Sequence, residues 1–151
     1  MEIAYSTGYD LTGHRILFYD GNTGTVYKTT DVENDLSVTN VDPSGSFSFS
    51  AYTVYSFNSQ VQNGPDGIAL VDGNNNVLDF IAYGSQFTAT SGPAAGLPPT
   101  LIGVQEPGNT NPAFSLQLSG TGYRASDFTW QPPQLATPGL PNTGQEINCA
   151  R

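Results

Sequence analysis

Two apolar runs separated by five turn residues constrain this chain most. Ile68-Ala69-Leu70-Val71 and Val77-Leu78-Asp79-Phe80-Ile81-Ala82-Tyr83 flank Asp72-Gly73-Asn74-Asn75-Asn76. Gly and Asn tolerate the positive φ that a tight reversal needs, so the stretch from Gly64 to Gly84 reads as a hairpin. Both runs are apolar at consecutive positions, which suits central strands buried on both faces. The hairpin is therefore the expected middle of a β-sandwich.

The rest of the chain repeats this grammar. Glu2 to Tyr5 forms a short first strand, and Asp10-Leu11-Thr12-Gly13 is a turn. His14 to Tyr19 is a strand, and Asp20-Gly21-Asn22-Thr23-Gly24 is a second loop of turn residues. Thr25 to Thr29 returns as the hairpin partner, and Asp31 to Asn34 is loop. Ser46 to Phe57 (SFSFSAYTVYSF) alternates with period two. Its Phe47, Phe49, Ala51, Thr53, Tyr55 and Phe57 share the expected inward face, and its serines face water. Phe87 to Thr90 is expected to extend the sheet. Ser91 to Pro99 is too rich in Pro and Gly for a strand and is an ordered crossing loop. Thr100 to Gln105 is a short edge strand, and Phe114–Leu118 and Asp127–Trp130 are the last strands. From Gln131 onward no periodicity remains, so a surface tail is expected. No segment has convincing helical periodicity.

Composition agrees with many short strands joined by turns. The chain has 17 glycines and 11 prolines in 151 residues, which fits one domain of all-β class. Charged residues make up 11%, against about 25% in typical globular chains, so the expected surface is neutral and polar. The formal net charge is −9, with only Arg15, Lys28, Arg124 and Arg151 basic. Such a chain repels a phosphate backbone and an anionic membrane surface, so neither nucleic acid nor membrane is an expected partner. Cations, basic proteins and neutral glycans stay open as partners, and solubility alone also accounts for the acidity. No N-x-Ser/Thr acceptor occurs, no apolar run approaches a membrane span of about 18 residues, and no leader pattern follows Met1. Met1 itself reads equally well as a native or an added start.

Chemistry-bearing residues are few. His14 is the single histidine, and no G-x-S-x-G elbow accompanies it; packing near a strand start is the simpler reading. Cys149 has no His context and cannot form an internal disulfide. One His and one Cys cannot build a zinc site of nitrogen and sulfur ligands within one chain. Asp31, Glu33 and Asp35 place three carboxylates at alternate positions, an arrangement open to Ca²⁺ as well as to plain solvation. Asp72 to Asn76 begins like a calcium loop, but Val77 stands where glycine is needed and Tyr83 where glutamate is needed, so turn chemistry explains it better. No catalytic, metal or cofactor residue is assigned, and no cofactor is expected. Paired carboxylates that meet only in space are not legible in a sequence.

Several segments resemble the lamin tail domain family in its secreted bacterial-type branch. They are Asp10-Leu11-Thr12-Gly13, Gly64 to Asp72, Gly92-Pro93-Ala94-Ala95-Gly96, Ser115-Leu116-Gln117-Leu118, Phe128-Thr129-Trp130 and the ending Ala136 to Gln145. The resemblance spans about residues 2 to 145, leaving 146–151 as a tail. It implies an immunoglobulin-like β-sandwich and a non-catalytic role: binding or scaffolding in an extracellular or otherwise secreted setting, commonly beside hydrolases. Two departures stand out. His14 occupies a position where the family often has Trp. The family also usually carries a further strand before the segment matching Glu2-Ile3-Ala4, so this sandwich is expected to lack one N-terminal edge strand, which exposes backbone N–H and C=O groups. That edge leads to a second reading, a structural protein that self-associates as a homo-oligomer. A third reading is a hydrolase, nuclease or phosphatase, related to the enzymes such modules accompany.

Overall fold

A computed structural model describes residues 1–33, 36–41, 47–52, 61–62 and 64–148, with the side chains of 36–41 and 47–52 excepted. The chain is all-β, as its punctuation predicts. In order the strands are β1 Glu2–Ser6, β2 Arg15–Asp20, β3 Val26–Asp31, β4 Leu36–Val41, β5 Phe47–Tyr52, β6 Asp66–Val71, β7 Val77–Tyr83, β8 Thr100–Leu101, β9 Phe114–Gly122, β10 Thr129–Leu135 and β11 Gln145–Ile147. One 3-10 turn, Ala125–Asp127, is the sole helical element among the described residues. None of them forms a helix long and apolar enough to cross a membrane.

The chain divides into two compact units. One comprises Asp10–Asp35 and Val54–Gly103, the other Met1–Tyr9, Leu36–Thr53 and Val104–Arg151.

The first unit is built on a five-stranded sheet of order β3-β2-β6-β7-β8. The β2–β3, β2–β6 and β6–β7 pairs are antiparallel, and β8 runs parallel to β7. On one face Leu17, Tyr19, Ala69, Val71 and Phe80 make a core with Ala89 and Ala94. The last two belong to the loop after β7, which lies over this face. Its Phe87 meets Phe80 edge-on at 5.9 Å, and Phe80 meets Tyr19 at 5.0 Å. Side chains of the loop then pin it: Thr90 Oγ1 donates to the Thr23 carbonyl at 2.9 Å, and Gln86 Nε2 to that of Pro99 at 2.8 Å. The ordered crossing loop is thus present as expected. Phe87 to Thr90 belong to it and form no strand, because Phe87 is spent on covering the core.

Ile16 and Phe18, on the other face of β2, are also buried. A central strand buried on both faces, in five- and three-stranded sheets, is consistent with the expected β-sandwich. Strand β7 departs from the expectation of two-sided burial. Leu78 and Asp79 are exposed, because only β8, two residues long, lies beyond β7.

The second unit holds two three-stranded sheets, β1-β5-β4 and β10-β9-β11. Strand β1 is an edge strand, pairing antiparallel with β5 from Glu2↔Ala51 to Ser6↔Phe47. Its Glu2 carboxylate accepts the Gly139 N–H. Strand β5 covers the middle of the expected Ser46–Phe57 strand; Ser46 and Thr53 to Phe57 lie outside the described residues, as does the expected inward face. Strand β4 was not expected at all. The surface tail after Gln131 is likewise corrected. Strand β10 runs through Pro132 and Pro133, and β11 pairs in parallel with β9 at Gln145↔Gly120 and Ile147↔Gly122. Proline is tolerated in β10 because the strand is an edge and the register shifts between Gln131 and Gln134.

Candidate functional site

The two ends of the five-stranded sheet carry its polar chemistry, and they differ in kind. At the end where β6 turns into β7, the loops are exposed and internally fixed. The Asp72 carboxylate accepts the N–H groups of Asn74 and Asn76, each at 2.8 Å, and the Asn76 side-chain amide, also at 2.8 Å. Asn75 takes the left-handed φ of 68° that closes the turn. Its side-chain oxygen receives the Arg15 guanidinium. The Asp10 carboxylate accepts the Thr12 N–H at 2.9 Å, and Gly13 comes so close to Gly73 that a Cβ there would sit 3.1 Å from the Gly73 Cα. The loops Asp10–His14 and Asp72–Asn76 therefore meet backbone to backbone. Hydrogen bonds from Asn76 hold the Asp72 carboxyl below the ordinary carboxylate range, and those from Thr12 do the same for Asp10.

Residues singled out by sequence fall around this end. His14 is buried at the start of β2, its N–H donating to the Leu11 carbonyl and its own carbonyl accepting from Val32, each at 2.9 Å. Nδ1 lies 3.4 Å from the Thr12 carbonyl. This is the packing position expected beside a strand start. Asp31 ends β3 and is exposed; Glu33 accepts from Thr12 Oγ1 at 3.1 Å. Asp35 and Cys149 lie outside the described residues. Among those described, no three His, Cys, Asp or Glu side chains are grouped to hold a metal ion.

The opposite end is buried. Asp66, 1% exposed, opens β6 directly across from Asp20 of β2. Its Oδ1 accepts the Gly21 N–H at 3.1 Å, and Oδ2 lies 3.4 Å from the Tyr27 hydroxyl. The Gly21 N–H is shared with the Pro65 carbonyl at 2.9 Å. Tyr27 Oη accepts from the Gln62 N–H at 3.3 Å, and the Tyr83 hydroxyl donates to the Gln62 carbonyl at 2.9 Å. Asp20 is spent locally, accepting from Asn22 at 2.8 Å and Thr23 at 3.0 Å. Burial raises the Asp66 carboxyl above its usual range, with Asp20 adding to the rise, and burial pushes Tyr27 up to about 12. A carboxylate this enclosed touches no solute from solution in this conformation. Its geometry fastens loops.

Sequence reasoning missed both Asp66 and Gln117. The latter is 3% exposed in β9, and its Nε2 donates to the Leu135 carbonyl at 2.8 Å and to Ser115 Oγ at 3.1 Å. It thereby satisfies a carbonyl at the end of the shifted stretch of β10, while its Oε1 has no hydrogen-bond partner among the described residues. No periodic signal marks either residue; a polar residue inside an apolar strand is the only hint.

Compared with protein-family models, curated proteins and solved structures, the chain matches none.

Proposed function

We propose that the chain is a non-catalytic binding or scaffolding module, an immunoglobulin-like sandwich of lamin-tail type acting in an extracytoplasmic setting, and that it contacts protein or glycan through its loops. The observation that carries this reading is the paired loop surface Asp10–His14 and Asp72–Asn76. Asp72 alone absorbs three donors, so the loop conformation is set before any partner arrives. A loop ordered in advance loses less entropy on binding. The groups left at its surface are amides and carboxylates, with Asn74 and Asn75 exposed. Such groups suit hydroxyl-rich or cationic partners. The net charge of −9 turns phosphate-bearing partners away.

The test is binding of the full chain to arrays of immobilised neutral glycans and of secreted proteins. Wild type is to be compared with Asn74→Ala/Asn75→Gly, which keeps the turn conformation. A ligand retained by wild type and lost by the variant supports the reading. Turnover on a broad hydrolase panel, abolished by one point mutation, overturns it.

A further inference from the structure

We propose that the buried amide of Gln117 holds a water molecule against the proline bulge of β10, bridged to the Ser115 hydroxyl, so that the β9–β10 pair contains a built hydration site. This inference does not rest on the binding reading above.

The amide is fixed from its nitrogen end. Gln117 is 3% exposed, and its Nε2 donates to the Leu135 carbonyl at 2.8 Å and to Ser115 Oγ at 3.1 Å, with the Gln134 carbonyl at 3.5 Å. Exchanging the nitrogen and the oxygen would aim an acceptor at those carbonyls, so the amide has a single workable orientation. In that orientation Oε1 is buried and has no hydrogen-bond partner among the described residues. Leaving a buried acceptor unmet is costly, and an ordered water meets it where the protein offers no donor.

The local sequence explains why no main-chain donor reaches this oxygen. Gln131 pairs with Gln117 and Gln134 with Ser115, so Pro132 and Pro133 together stand opposite Leu116. The Gln117 side chain reaches past this stretch to Gln134 and Leu135. Proline has no N–H, so the two residues of the bulge offer carbonyls only. A two-against-one bulge also interrupts the ladder, so regular bonds do not draw the strands together there. Ser115 Oγ accepts from Nε2, which leaves its own hydrogen to give. Because that hydroxyl lies 3.1 Å from one end of the amide, a single water reaches both it and Oε1 at the other end. The water accepts from Ser115 Oγ–H and donates one hydrogen to Oε1. Its second hydrogen goes to a carbonyl of the Pro132–Pro133 stretch, since each carbonyl oxygen has two lone pairs. About three partners is the ordinary number for a buried water.

The experiment is magnetic relaxation dispersion of oxygen-17 water on the full chain, which counts the long-lived internal waters, for wild type, Gln117→Met and Ser115→Ala. Water-to-amide Overhauser spectra of wild type accompany it. Met keeps the length of Gln without its amide. The expected results are one long-lived water fewer in each variant than in wild type, and a water contact at the Gln117 side-chain amide. An equal count in wild type and Gln117→Met overturns the proposal, as does a wild-type spectrum without that contact. An equal count in wild type and Ser115→Ala overturns the bridge. If Gln117→Met does not fold, the Ser115→Ala count and the wild-type contact decide by themselves.

Discussion

The amide of Gly21 points at the carbonyl of Pro65 and donates to it at 2.9 Å, across a gap with no room for a side chain. A Cβ on Gly21 would lie 2.2 Å from that carbonyl oxygen. Backbone, not a flexible side chain, stands in the way, so Gly21→Ala must part the β2–β3 loop from the start of β6. The expected loss is about 1–3 kcal/mol or more, from overpacking together with the broken Gly21 hydrogen bonds. Urea unfolding at neutral pH measures it; a loss within about 0.5 kcal/mol, the range of ordinary surface changes, contradicts it.

Gly67 and Phe87 stand in a similar relation. A Cβ on Gly67 would reach Phe87 Cζ at 2.6 Å and the Ile81 carbonyl at 3.0 Å. Gly67→Ala therefore displaces the ring from Phe80 and lifts the covering loop. The expected cost is about 1–3 kcal/mol. Near-ultraviolet circular dichroism should change as the aromatic packing is disturbed, while the far-ultraviolet strand signal stays.

Phe80 is the hub of that face, touching both Tyr19 and Phe87. Phe80→Ala leaves a cavity beneath the loop and is expected to cost about 3–5 kcal/mol. Phe80→Leu should cost distinctly less. Equal losses for the two would mean that the loop does not depend on this core.

Acid should weaken the exposed loops. Asp10, Asp72 and Asp127 are all held below their ordinary value of 3.8 by hydrogen bonds to their charged forms. Each contributes stability that is complete above 3.8 and is lost as pH falls through the lowered folded value. Asp72→Asn is expected to weaken the protein at neutral pH, since an amide nitrogen replaces an oxygen facing the Asn76 side-chain amide. It should also flatten the acid limb below 3.8. Thermal melts at neutral pH and at about pH 2.5 check both; an unchanged acid limb refutes the assignment.

Turns were the most legible part of this chain. The Asp72–Asn76 hairpin, the Asp20–Gly24 loop and the crossing loop all follow from local chemistry that Gly, Asn and Asp carry with them. Strand β10 was illegible because two prolines normally end a strand, and only an edge position with a register shift admits them. Strand β11 is three residues of mixed character held by main-chain pairing, which leaves no pattern. Strand β4 (LSVTNV) has the β-branched residues of a strand, but six residues between turn-rich flanks are too few for their alternation to stand out. The Asp66 cluster was hidden for another reason. Asp20 and Asp66 meet only once β2 and β6 pair, and no local periodicity reports such a meeting.

Four strands of the five-stranded sheet are two hairpins, β2–β3 and β6–β7, joined along the single seam from Arg15↔Val71 to Asp20↔Asp66, with the short β8 added beside β7. Each hairpin closes locally, on a timescale of about 1–10 μs. The seam requires distant parts of the chain to find each other, with loop-closure entropy spent before any contact offsets it. Folding speed should therefore be governed by that meeting rather than by either turn. Changes along the seam would slow refolding, whereas changes confined to the Asn-rich turn would mainly hasten unfolding.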